Sequence, residues 1–127
     1  MIVAGVGCRR DISADEIEQV VRLALGEFDL AAERLDAIAT EAAKAGDPAF
    51  PEAARRLSVR LMAFTVEDLD RVASQVLTPS RLVLETKGVP SIAEASALVG
   101  AGRNGRLLGK RVAAGSATCA IAIGDGQ

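Results

Sequence analysis

The chain has 127 residues, of which half are apolar, a formal net charge of -2, and no histidine, tyrosine or tryptophan. This composition predicts a single domain over residues 1–127 with an aliphatic core, and it excludes catalysis by an imidazole or a tyrosyl hydroxyl of this chain. With three phenylalanines as the only aromatic residues and this charge balance, nucleic-acid binding is not expected.

The first eight residues, MIVAGVGC, predict a buried strand that runs into a glycine turn. Gly5 and Gly7 lack a Cβ atom, so the backbone there can bring its N–H groups close to a ligand. Arg9 and Arg10 follow, and their planar guanidinium groups suit carboxylates or phosphates. Because consecutive residues of an extended loop point in different directions, we expect one arginine to face a ligand and the other to be structural or solvated.

A helix is predicted directly after this loop, because Ser13-Ala14-Asp15-Glu16 has the pattern of a capping box. A helix start adds unpaired N–H groups and the positive end of the helix dipole. Together with the two arginines, it predicts an anion-binding site. The pattern is neither a dinucleotide-binding fingerprint, since no third glycine follows in register, nor a P-loop.

Cys8 is a candidate nucleophile, because neighbouring arginines and a helix start lower the pKa of a thiol. The alternative, a small residue that fills the loop, is favoured because the chain offers no histidine base. Cys119 lies in an apolar stretch and is predicted to be a packing residue. Without a C-x-x-C pair or a histidine, neither a metal nor any other cofactor is expected.

Downstream, apolar spacing and turn residues predict alternating helices and strands. In chain order these are a helix from 13 to about 26, a strand at 35–40, a break at 45–48, a helix to about 57, a strand at 61–64, a short helix from 65, a helical turn at 75–87, a helix from 91 to 100–102, and strands at 107–108 and 116–123. A strand at 82–84 is the alternative to the helical turn. The last strand is apolar on both faces, which is typical of the middle of a covered sheet. The order predicts a three-layer α/β/α fold with a mixed, mainly parallel sheet of about five strands.

Four residues outside the first loop are further candidates for the site. Ser91 and Glu94 have the pattern of a second complete capping box, with ligand binding as the alternative role. Lys110, with Arg111 beside it, would add positive charge if its strand lies next to the first strand. Thr118 lies on a strand, where a threonine is usually structural.

Three separated segments resemble one known family. They are G-V-G-C-R-R at 5–10, G-V-P-S-I-A-E-A at 88–95, and a closing pattern of Lys110, Gly115 and T-C-A-I-A at 118–122. The segments are similar, in order and spacing, to those of the CobE proteins of cobalamin biosynthesis, whose module also forms the C-terminal domain of CbiG. Asp11 is a departure, since the family usually has a glycine straight after the two arginines.

The resemblance implies a corrin-pathway protein that binds a precorrin or corrinoid intermediate, whose acetate and propionate arms suit the glycine–arginine loop. The predicted ligand-binding residues are Gly5, Gly7, Cys8, Arg9, Arg10, Ser13, Ser91, Glu94, Lys110 and Thr118. One alternative is a CbiG-like lactone hydrolase of cobalt-precorrin, acting alone or as a subunit with a partner. A second is a non-catalytic anion-sensing module of a different pathway.

We do not expect catalysis by the isolated chain, because no group that would transfer protons near neutral pH is evident. Other corrin-pathway enzymes and a second copy of the chain, in a homodimer, are candidate partners. The chain opens on a predicted strand rather than a leader, and no apolar run reaches membrane-spanning length. The expectation is therefore a cytoplasmic protein with reduced thiols and no membrane partner.

Overall fold

The computed structural model describes residues 1–9, 11–77 and 91–126. Arg10 and residues 78–87 of the predicted helical turn lie outside the described residues. Within these ranges the strands are β1 (Ile2–Cys8), β2 (Ala37–Glu41), β3 (Arg60–Phe64), β4 (Arg106–Leu107), β5 (Val112–Ala114) and β6 (Ala117–Ile123). The α-helices are α1 (Ala14–Glu27), α2 (Ala42–Ala45), α3 (Ala49–Leu57), α4 (Val66–Asp70) and α5 (Ile92–Ala101).

The strands form one sheet in the order β3-β2-β1-β6, with β4 and β5 both paired to the outer side of β6. β1, β2 and β3 are parallel, and β6 is antiparallel to β1. Since β4 and β5 are antiparallel to β6, five of the six described strands run in one direction. The predicted mixed, mainly parallel sheet is confirmed, and the sixth strand arises because the outer strand is interrupted between β4 and β5.

Helices cover both faces of the sheet. On one face, Val6 and Ile121 pack among the apolar side chains of α1 and α3. On the other face, Val3 and Ala122 pack against α5. Both faces of β6 are therefore buried, as its sequence predicts, and the three-layer α/β/α arrangement is confirmed. Cys119 is fully buried among the first set, in the packing role expected for it.

The starts of α1 and α4 agree with their local sequence signals. The Ser13 hydroxyl accepts the Glu16 N–H and the Glu16 carboxylate accepts the Ser13 N–H, which completes the predicted capping box at α1. Thr65 and Asp68 form the same reciprocal pair at α4. Each box satisfies two backbone donors that a helix start otherwise leaves unpaired.

Helix α5 is rich in small residues and lies directly on the backbone of β1. Its Ser96 hydroxyl contacts the carbonyl oxygens of Ala39 in β2 and Ala93 in its own first turn, at 3.4 and 3.3 Å. This close approach places the start of α5 beside the carboxyl end of β1. Across the described ranges, no helix combines the length and apolar character needed to cross a bilayer.

Candidate functional site

A cavity of about 600 Å³ opens at the carboxyl end of β1. Gly7, Cys8 and Arg9 form its floor, and the starts of α1 and α5 supply Glu16 and Ile92. The third wall is the turn between β5 and β6, with Arg111 on the segment that leads into β5. The volume is within the range of small-molecule sites in proteins.

Arg9 lines the cavity. Its side chain is exposed, and its backbone N–H donates to the Ser116 carbonyl oxygen at 3.4 Å, which ties the first loop to the β5–β6 turn. No ion pair involving Arg9 is present among the described residues. The guanidinium group therefore lies at the cavity mouth without a carboxylate partner in the described part of the chain.

Arg111 is the second cation of the cavity. Its side chain is half-buried, and its Nη1 atom donates to the Ser91 hydroxyl at 3.4 Å. Its backbone N–H donates to Oε2 of Glu94 at 3.3 Å. Arg111 is thus held at the first turn of α5 through both its backbone and its side chain.

The predicted complete capping box at α5 is wrong, because only half of it forms. The Ser91 hydroxyl accepts the Glu94 N–H at 3.3 Å, as a cap requires. The fully buried Glu94 carboxylate is instead directed to the Arg111 N–H, which comes from a segment 17 residues away in the chain. A residue pattern within four positions cannot reveal this competing donor.

The cavity also contains carboxylates. Oε2 of Glu16 accepts the Ser116 hydroxyl at 3.1 Å, while its Oε1 contacts the Ser13 backbone N–H and hydroxyl. The hydrogen bond from the Ser13 backbone, followed by that from the Ser116 side chain, lowers the pKa of Glu16. Glu16 therefore stays ionised at neutral pH. With the exposed Asp11 also in the lining, the cavity is of mixed charge rather than purely cationic.

Cys8 lines the cavity and is partly buried, and the alternative of an activated thiol with a lowered pKa is not supported. Burial, the largest effect, raises the pKa of the half-buried Cys8 thiol. The positive charge of Lys44 lowers the pKa of this thiol, and the negative charge of Glu41 raises it further. The loss of hydration of the thiolate thus outweighs the positive charge of Lys44, and the described residues around Cys8 do not activate its thiol.

Thr118 and Gly7 pack against each other in the cavity wall. The Thr118 hydroxyl donates to the Gly7 carbonyl oxygen at 3.4 Å. A Cβ atom on Gly7 would lie 3.1 Å from that hydroxyl oxygen and 3.4 Å from Cβ of Ile92. Glycine at this position therefore allows β1, β6 and the start of α5 to meet at the cavity floor.

The predicted site residues fall into three groups. Those that line the cavity are Gly7, Cys8, Arg9 and Thr118. Those that hold lining residues through hydrogen bonds are Ser13, Ser91 and Glu94. Gly5 lies beneath α5, Lys110 is exposed outside the cavity lining, and Arg10 is outside the described residues.

Sequence reasoning did not assign Glu16, Ile92 or the Gly115–Ser116 turn to the site. Gly115 has a positive φ of 60°, a signal consistent with the turn that was predicted there. Its place beside Glu16 depends on how the sheet folds over α1. In the part of the chain that the structure describes, no group of three or more cysteine, aspartate or glutamate side chains is arranged to hold a metal ion.

The chain is similar to proteins of cobalamin synthesis. The family described as "Cobalamin synthesis G C-terminus" matches residues 2–122. Protein CobE of Sinorhizobium sp is 33% identical over 121 residues, which are 95% of this chain and 79% of that protein. The cobalt-precorrin-5A hydrolase of Priestia megaterium is 25% identical over 123 residues, and the chain spans 32% of its length.

Two solved structures share the fold. A crystal structure of CobE, described as a protein from the cobalamin (vitamin B12) biosynthetic pathway, has a TM-score of 0.92 and 30% identity, over 100% of this chain and 92% of that one. The cobalamin biosynthesis protein chiG from Agrobacterium tumefaciens str. C58 has a TM-score of 0.77 and 38% identity, and the match covers 98% of this chain and 99% of that one. The chain therefore belongs to the CobE and CbiG C-terminal family and is a cobalamin biosynthesis protein.

Proposed function

We propose that this chain binds a precorrin or corrinoid intermediate in the cavity at the carboxyl end of β1 and passes it between enzymes of the corrin pathway. The observation that carries the proposal is the meeting of Arg9 and Arg111, from opposite parts of the chain, in one cavity between two helix starts. Guanidinium groups bind carboxylates in a planar, two-pronged geometry.

The chemistry of the ligand matches the cavity. A tetrapyrrole intermediate has an apolar ring with acetate and propionate arms around its rim. Ile92, Ala113 and Ala117 supply apolar lining for an edge of such a ring. The first turns of α1 and α5 add the positive ends of their dipoles, which favour a bound carboxylate.

The carboxylates of the cavity set the orientation of the ligand. Glu16 stays ionised beside Ser116, so it repels a ligand carboxylate on that side. Arg111 lies on the other side, at the start of α5. A ligand carboxylate is therefore expected at the Arg111 side, and a ligand N–H or O–H group is expected to face Glu16.

Binding is preferred to turnover because the cavity lacks an activated nucleophile in its described lining. Burial raises the pKa of the Cys8 thiol, which leaves little thiolate at neutral pH. The hydrolase relative is about three times as long as the matching region, so its activity is not transferred to this chain. A partner subunit would be needed to supply the remaining groups.

Calorimetric titration with hydrogenobyrinic acid tests the proposal, with the methyl ester of the same macrocycle as the matched control. The acid is expected to bind with one site per chain, and the ester to bind at least about tenfold more weakly because it lacks the charged arms. A higher salt concentration should weaken the binding of the acid more than the binding of the ester. Equal affinity of acid and ester, or no binding of the acid, would reject recognition through carboxylates.

A further inference from the structure

The outer edge of the sheet contains a two-residue bulge. Leu107 pairs with Ala122 and Val112 pairs with Cys119, both on β6. Between these pairs the outer chain has four residues, 108–111, whereas β6 has two. The Leu108 N–H still donates to the Ile121 carbonyl oxygen at 2.9 Å, so the two extra residues are taken up at 109–111. Such bulges bend a strand and redirect its side chains.

Two contacts hold the bulge in place. A Cβ atom on Gly109 would lie 2.7 Å from Cε1 of Phe28, so the backbone rests directly on that ring. At the other end, the Arg111 N–H donates to the buried Glu94 carboxylate. The bulge is thus fixed against the end of α1 on one face of the sheet and the start of α5 on the other.

The bulge separates two adjacent cations. Lys110 is exposed and lies outside the cavity lining, whereas Arg111 is half-buried and lines the cavity. We propose that Glu94 is a positioning residue, which through its bond to the bulge holds Arg111 in the cavity as the cation that faces the ligand. The identity of that ligand rests on the proposed function, but the placement of Arg111 does not.

Cys8 provides a ligand-free test, because it lines the same cavity as Arg111. Its rate of reaction is measured with two disulfide reagents, the dianionic dithiobis-nitrobenzoate and the neutral dithiodipyridine. A nearby cation accelerates the anionic reagent only, so the ratio of the two rates reports the charge in the cavity. Cys119 is fully buried, and a Cys8→Ser variant gives the background rate.

Arg111→Ala is expected to lower this ratio about threefold, the scale of one partly exposed charge contact. Lys110→Ala is the matched control, since it removes an adjacent positive charge outside the cavity, and should leave the ratio unchanged. Glu94→Gln keeps an acceptor for the Arg111 N–H and should retain at least the wild-type ratio. Glu94→Met fills the same space without an acceptor and should lower the ratio as far as Arg111→Ala does.

Combining the variants separates positioning from a general structural role. If Glu94 acts through Arg111, Glu94→Met has no further effect on the ratio in an Arg111→Ala background. Equal ratios for Glu94→Met and Glu94→Gln, or a further decrease in that background, would overturn the proposal. If Glu94→Met does not fold, hydrogen exchange of the backbone amides in the wild-type protein tests the proposal instead. The Arg111 N–H should exchange more slowly than the Lys110 N–H, and equal exchange rates would also overturn the proposal.

Titration of the same variants with hydrogenobyrinic acid distinguishes this inference from the proposed function. Where both hold, Arg111→Ala and Glu94→Met weaken binding equally, and Glu94→Gln preserves it. If the variants show the expected ratios of Cys8 reaction rates but the wild-type protein does not bind the corrinoid, Arg111 is placed as proposed and the proposed function fails. Normal corrinoid binding by Arg111→Ala would reject Arg111 as the cation that faces the ligand.

Discussion

A Cβ atom on Gly5 would lie 2.0 Å from the carbonyl oxygen of Ala93, far inside any permitted contact. It would also lie 2.6 Å from the Ala97 backbone nitrogen. These two nearest atoms are main-chain atoms of α5, so rotating a side chain cannot make room. Gly5 therefore allows α5 to rest on β1, and it sets the position of the helix start that borders the cavity.

Gly5→Ala is expected to destabilise the protein by at least about 3 kcal/mol, because α5 would have to move away from the sheet. Gly26→Ala is the matched control. A Cβ atom on Gly26, an exposed position in α1, meets nothing within 4 Å, and alanine there should stabilise by up to about 1 kcal/mol. Urea unfolding measures both, and a Gly5→Ala protein as stable as wild type would contradict the packing described.

Ser116→Ala is expected to raise the pKa of Glu16 only part of the way to its ordinary value. The larger cause of the low pKa, the hydrogen bond from the Ser13 backbone, remains in this variant. Because the Ser116 bond favours the ionised carboxylate, its stabilisation is present above the ordinary Glu16 pKa and is lost as the pH falls through the folded-state pKa. A carboxyl NMR titration measures the shift, and an unchanged Glu16 pKa would show that the Ser116 contact is absent in solution.

The Cys8 thiol is expected to react with iodoacetamide along a pH profile whose midpoint lies above that of an unburied thiol. Burial disfavours the thiolate, and this effect outweighs that of Lys44. In urea the midpoint should return to the ordinary value as the site unfolds. A native midpoint below the denatured one would restore Cys8 as an activated nucleophile.

The isolated chain is expected not to open the lactone of a cobalt-precorrin substrate. The raised pKa of Cys8 removes the candidate nucleophile, and the ionised Glu16 is held by two serines rather than poised to donate a proton. Incubation with the lactone and an assay for released aldehyde checks this. Turnover that disappears in a Cys8→Ser variant would place the chain among the hydrolases.

The first helix start was predictable because the atoms of its capping box lie within four residues of one another. The second role of Glu16 was not, since it needs Ser116, which is 100 residues away. The same limit applies to Glu94, whose sequence context indicates a capping box while the folded chain supplies the Arg111 N–H. Local signals therefore located both helix starts but could not show which groups compete for their carboxylates.

The burial of both faces of β6 followed from apolar patterning. The bulge at 108–111 did not, because nothing in the residue pattern marks where the outer chain gains two residues over β6. Two adjacent cations, Lys110 and Arg111, lie in this bulge. The sequence therefore predicted positive charge in this segment and favoured Lys110, whereas the structure has Arg111 in the lining.

The most direct test of the central claim is the affinity of an Arg9→Ala/Arg111→Ala double variant for hydrogenobyrinic acid. Lys110→Ala/Arg103→Ala is the control, since it removes the same charge from two exposed residues outside the cavity lining. We predict that the cavity variant binds about tenfold to a hundredfold more weakly than wild type, the range of charge-assisted hydrogen bonds, while the control stays within about twofold. Equal affinities of the two double variants would contradict binding at this cavity.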